Sequence, residues 1–177
     1  PNQGCGIWME QPSNPYDVST YSYQLADDHD YGGTSAIKVE LGGGRTPRRN
    51  GYLNVDALDI PEVDVKFDFD SLLDGKTRLP FADDTVQGIY SSHCFEHLRS
   101  DTLKALLREI VRIVPIGGVF ELCVPHWNSM SAMIDGHVRT FSEEQIDHWS
   151  RSAIDYWWHG SSKRLLHHYT NLHPSGT

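Results

Sequence analysis

The sequence predicts an α/β fold built on a mostly parallel sheet, and three features carry that prediction. First, "SDTLKALLREIVRIVP" lies between two strand-like runs and spaces Leu103, Leu106, Leu107, Ile110, Val111 and Val114 as on one helix face. Strand, helix and strand in that order make a parallel crossover. Second, "KVELGGG" ends an apolar strand in three glycines, where the chain can turn sharply with no Cβ in the way. Third, short β-branched runs recur along a chain of 177 residues, the length of one ordinary domain.

Taken in order, residues 1–34 are rich in Pro, Ser, Asn, Asp, Tyr and Gly without a sustained period, so they read as an extended lead-in with room for one short helix. Trp8, Tyr16, Tyr21 and Tyr23 are too many aromatics for a plain disordered tail, so the lead-in is expected to pack on a body of residues 35–177. "AIKVEL" and "YLNVDA" are short strands, and "VDVKFDF" alternates with Val63, Val65, Phe67 and Phe69 on one face. "QGIYSSH" and "GVFELCVP" flank the helix, which Ser100 or Asp101 can cap and which Pro115, Gly117 and Gly118 end. A second helix begins at "SEEQIDHW", where Ser142 and Gln145 have capping-box spacing. The tail "AIDYWWHGSSKRLLHHYTNL" reads as two strands around a Gly-Ser turn, an antiparallel pair at a sheet edge.

Composition narrows the function. A hydrophobic content of 38% is enough for a core, and the net charge of −9 argues against a phosphate-tracking surface, so duplex nucleic acid is not an expected partner. Cys5, Cys94 and Cys123 have no paired spacing, which points to reduced thiols. No apolar run reaches membrane-spanning length and the start lacks a signal-peptide pattern, so a cytoplasmic protein without a membrane partner is expected. Oligomeric state is not legible.

The glycine turn is the chemical signal. In a parallel sheet, ligands bind beyond the carboxyl ends of the strands, and Asp56 ends the strand after the turn, where a carboxylate can accept both hydroxyls of a ribose. From the glycines alone, a plain turn beside a solvated Asp is the competing reading. The dinucleotide fingerprint fails because Pro47 stands where its third glycine belongs, and no Gly-Lys-Ser/Thr follows for a phosphate loop.

Several stretches together resemble the class I S-adenosylmethionine-dependent methyltransferases. "VELGGG" is similar to that family's first motif and "LNVD" to its ribose-binding strand. "FDFDSLLDGKTRLPFADDTVQGIYSSHCFEHL" is similar to the adenine-contacting stretch with its "LPF.D" loop, and "LREIVRIVPIGGVFELCVP" to the following helix, turn and strand. "GHVRTFSEEQI" continues the pattern. The resemblance implies a Rossmann-like, mostly parallel sheet of about seven strands with helices on both faces, an antiparallel C-terminal edge and shortened first crossovers. It implies S-adenosyl-L-methionine as cofactor, held by Glu40, Gly42, Gly43, Gly44, Asp56, Asp68, Phe69, Ser91 and Ser92, with Asp70 the register alternative to Asp68. His93 would stand at the mouth of the transfer site. The chain departs from the family in its short "RTPRRNG" and "LDIPE" links, which leave no room for full helices, and in Ile116 and Gln87 where Lys and Asp are usual.

Methyl transfer needs placement and exclusion of water, with a base only for a hydroxyl or protonated amine. His93 and His126 follow strands whose carboxyl ends face the pocket, so they are the catalytic candidates, against a reading as hydrogen-bonded rim residues. His97 reads as structural, paired with backbone or Glu96. His126, Asp135 and His137 lack tight ligand spacing, so no metal is expected. Arg45, Arg48, Arg49 and Arg139 suit an anion clamp, against solvated loops. His167 and His168 read as edge-strand residues. Trp127, Trp149, Trp157 and Trp158 suit either an acceptor pocket or core. The expected function is methyl transfer to an O or N acceptor on a small molecule such as a sugar or metabolite. The alternative is a non-catalytic methyltransferase-like module that binds cofactor or a partner.

Overall fold

The computed structural model describes residues 18–24, 36–47, 49–142, 144–146 and 166–169. Five strands run parallel: β2 (Ile37–Leu41), β3 (Leu53–Asp56), β4 (Val65–Lys66), β5 (Val86–Ser92) and β6 (Val119–Pro125). β1 (Val18–Gln24) lies antiparallel on β6, and β7 (Leu166–Tyr169) lies antiparallel on β1, for an order β4-β3-β2-β5-β6-β1-β7. Strand order reverses between β2 and β5, which places a crevice at the carboxyl ends of these two strands. The glycine turn begins there.

Helix α1 (Ser100–Ile113) makes the β5-to-β6 crossover and buries Leu103, Leu106, Leu107, Ile110, Val111 and Ile113. They join Val39, Leu41, Val55, Ile89, Phe95, Phe120 and Leu122 in one core. Its start is Arg99, with no side-chain cap bond, so neither Ser100 nor Asp101 caps it. The chain leaves it at Val114, before Pro115.

The "LPFADD" loop is pinned to α1 by a half-buried ionic hub. Glu109 accepts the Leu79 N–H at 2.8 Å and two guanidinium bonds from Arg112, at 2.8 and 2.6 Å. Arg112 also donates to the Phe81 and Leu79 carbonyls and to Asp83. Its pKa is raised, chiefly by the Glu109 hydrogen bonds, so it stays charged. Leu79, 2% exposed, is thereby set into the core.

Several expectations change. "VDVKFDF" is a strand only over Val65–Lys66, because Asp68 caps a 3-10 turn, Phe69–Asp74, by accepting the Asp70 N–H. Helices on both faces are not found among the described residues: α1 is the one complete α-helix, and neither the β2-to-β3 nor the β3-to-β4 link contains a helix there. The lead-in supplies strand β1 rather than a helix in its described part. β7 pairs with β1, while its expected hairpin partner lies outside the described residues, as do Trp8, Tyr16, Arg48, Trp149, Trp157 and Trp158. Of the second helix only 144–146 is described, and there the Gln145 N–H donates to Ser142 Oγ at 3.3 Å. No helix among the described residues is long and apolar enough to cross a membrane.

Candidate active site

The turn after β2 is held by three side chains beneath it. Asp56 Oδ2 accepts the Gly44 N–H at 3.0 Å, and its other oxygen accepts the Leu58 N–H at 3.0 Å. Asn54, 1% exposed, accepts the Gly43 N–H at 3.1 Å and donates to the Gly44 and Glu62 carbonyls at 3.0 and 2.8 Å. Glu40, 2% exposed, accepts the Arg49 N–H at 2.9 Å and so ties the far end of the loop under β2. Gly42 has φ +73°, and a Cβ there would sit 2.4 Å from Cys94 Sγ, so no larger residue fits between β2 and the chain after β5.

Above this turn is an open cleft of about 500 Å³, lined by Gly42, Asp56, Ala57, Asp68, Phe69, Asp70, Cys94, His97, Leu98 and Arg99. That volume is in the range of small-molecule sites, roughly 300–1,000 Å³. Residues 42–122, from the glycine turn into β6, match the family model described as a methyltransferase domain. The match supports a class I S-adenosylmethionine-dependent methyltransferase over these residues. No curated protein and no solved structure matches the chain. Methyltransferase domains of this family generally use S-adenosylmethionine, and the cleft offers what such a group needs: a Cβ-free floor, a carboxylate at a strand end and an apolar wall at Phe69.

Within this cleft, the structure brings together only part of the set expected from sequence. Gly42, Asp56, Asp68 and Phe69 line it. Glu40, Gly43 and Gly44 form the layer that shapes the turn behind it. Ser91 and Ser92, expected to contribute backbone, are not among the residues lining the cleft; the Ser91 Oγ donates to the Leu41 carbonyl at 2.9 Å, and both residues are buried. Asp70 lines the cleft too, but its carboxylate is taken by Arg99 at 3.2 Å and by the Thr102 hydroxyl.

Neither catalytic candidate lines the cleft. His93, at φ +53°, has its Nδ1 3.2 Å from Glu96 Oε1 and its N–H on the Cys123 carbonyl at 3.0 Å. His126 is 6% exposed and hydrogen-bonds Asn128 through Nδ1, with Trp127 outside it half exposed. Arg49 is not a free clamp, since it pairs with Glu121 at 3.1 Å and stacks 4.3 Å from the Tyr90 ring. Arg139 donates to the Leu98 carbonyl at 2.8 Å and to Ser100 Oγ at 3.2 Å, and burial lowers its pKa.

Cys94, His97, Leu98 and Arg99 line the cleft and were not expected there. Cys94 is held as a neutral thiol: burial, then the charges of Glu96 and Asp56, push its pKa up to about 12. It is a wall of the cleft, not a nucleophile. The signal available in the sequence was position, because "HCFEHLR" directly follows a strand, and ligands of parallel sheets bind beyond strand carboxyl ends. Asn54 carries no such signal, being one polar residue inside a strand.

Proposed function

We propose that this chain binds S-adenosyl-L-methionine in the cleft over Gly42 and transfers its methyl group to an oxygen or nitrogen of a small-molecule acceptor, a sugar or other polyhydroxylated metabolite. The observation that carries the reading is the Asp56 carboxylate, fixed by the Gly44 and Leu58 N–H groups at the rim of a cleft floored by Gly42. A carboxylate has about four lone-pair sites, so two N–H bonds leave capacity for the ribose hydroxyls. Asp68 keeps a carboxylate at the cleft wall for the adenine amino group, with one oxygen on the Asp70 N–H and the Phe69 backbone beside it. The bound cofactor supplies an electrophilic methyl on a sulfonium. The protein's part is to hold donor and acceptor in line and keep water out, which is where most of the rate gain of a displacement arises.

Calorimetric titration with S-adenosylmethionine and S-adenosylhomocysteine, with NADH as control, tests the cofactor reading. Micromolar binding of either sulfur nucleoside supports it, followed by a methyl-transfer screen that starts with sugars. Absence of binding by both overturns it and favours the second reading, a partner-binding module, which the helix-free β2-to-β3 link also suits.

A further inference from the structure

Beside the cleft is a cluster that neither the cofactor nor the fold requires. Glu96 is 1% exposed, and its Oε1 faces His93 Nδ1 at 3.2 Å and His137 Nε2 at 3.9 Å. Its Oε2 is buried with no hydrogen-bond partner, and so is His137 Nδ1, on a side chain 7% exposed. Leaving two polar atoms unpaired in the interior costs on the order of 1–3 kcal/mol each, so an arrangement that keeps both needs a reason.

His97 completes the group. Its ring meets that of His137 edge-on with centroids 4.7 Å apart, and its Nδ1 is 3.1 Å from the Gly136 carbonyl. A carbonyl can only accept, so Nδ1 carries the proton and Nε2 is left with its lone pair available. That is how ligating histidines are ordinarily oriented, with the second ring nitrogen donating to backbone. Glu96, His97 and His137 each offer one ligand atom within 4.8 Å of the others. Ligands about a tetrahedral zinc lie roughly 3.4 Å apart, so a contraction of about an ångström completes the site.

His137 is brought to the adjacent pair Glu96 and His97 from forty residues away. The Val138 N–H donates to the Glu96 carbonyl at 2.9 Å, and Arg139 bonds the Leu98 carbonyl, so the "GHVR" loop is stapled along residues 96–98. His97 is exposed and lines the cleft together with Gly42, so the cluster adjoins the cleft through this residue.

We propose that Glu96, His97 and His137 bind a divalent first-row transition-metal ion at the edge of the cleft, with open coordination positions for an oxygen of the acceptor. Two imidazoles and one carboxylate are borderline ligands that suit zinc, iron or manganese. The acceptor part rests on the methyltransferase reading. A hydroxyl on the metal is acidified and loses its proton to solvent as the carbon–oxygen bond forms and the carbon–sulfur bond breaks. The sulfur leaves as a neutral thioether, so charge and atoms balance. This replaces the sequence-based expectation of no metal: Asp135 and His126 take no part, and His97 takes their place.

The test is titration of chelator-stripped, cofactor-free protein with Zn²⁺ and Mn²⁺, with Co²⁺ visible absorption to report the ligand set. One equivalent is expected on the unaltered chain, with a raised melting temperature. His97→Ala, at an exposed position, should weaken it at least 100-fold and change the cobalt spectrum, while His126→Ala leaves both as they were. Glu96→Gln, checked for folding by circular dichroism, should do as His97→Ala does. Absence of a stoichiometric site, or equal affinity in His97→Ala, overturns the proposal. Cofactor titration is separate, so failure of one reading is distinguishable from failure of the other.

Discussion

Asp56 holds the glycine turn through the Gly44 N–H and lines the cleft beside it. Asp56→Ala removes the acceptor of the Gly44 and Leu58 N–H groups together with the proposed ribose contact, so S-adenosylmethionine affinity should fall tenfold or more by calorimetry. Unchanged affinity would place the ribose elsewhere. Gly42→Ala puts a methyl into Cys94 at a φ of +73° and should destabilise by about 2–4 kcal/mol, read from urea midpoints. Adding Cys94→Ala should restore only the steric share, since the backbone strain persists. At this scale the sequence pointed to the glycine turn and Asp56, because a turn at a strand end has its own residue pattern, and Gly42 and Asp56 line the cleft. It could not show Asn54, whose role exists only once β3 lies beside the turn.

Among the elements, α1 was fully legible in its apolar period, but its attachment was not. The Glu109–Arg112 hub binds the loop between Leu79 and Asp83 to the helix, and removing one partner strands the other with little water to replace it. Glu109→Ala should cost about 3 kcal/mol in chemical denaturation. By contrast, Arg99 and Asp70 form an ion pair at the cleft wall with side chains 66% and 51% exposed. Arg99→Ala should therefore change stability by less than about 1 kcal/mol. Equal losses from the two variants would mean that burial is not what sets the hub's worth. The strand predicted over Val63–Phe69 failed for a local reason, since an Asp cap on the Asp70 N–H outcompetes a ladder with one neighbour.

For the whole molecule, β1 is the element whose position matters most. It covers the edge of β6 along its full length, Val18 against Pro125 through Gln24 against Val119, and carries β7 beyond it. A chain lacking residues 1–24 should expose β6 as an unpaired edge, melt at lower temperature and associate on size-exclusion chromatography. A monomer with unchanged melting would show that β1 is dispensable.

The sequence by itself determined the parallel α/β core, the crossover helix, the cleft floor at Gly42 and the methyltransferase resemblance, because each rests on a short local pattern of period, turn or strand end. Only the tertiary structure decided which histidines gather near the cleft. His93 and His126 are each turned to neighbours a few residues away, whereas His97 and His137 meet across forty residues through the backbone staple between residues 96–98 and 136–139. Side chains at such separation are brought together by packing and backbone hydrogen bonds, and no spacing in the sequence encodes that approach.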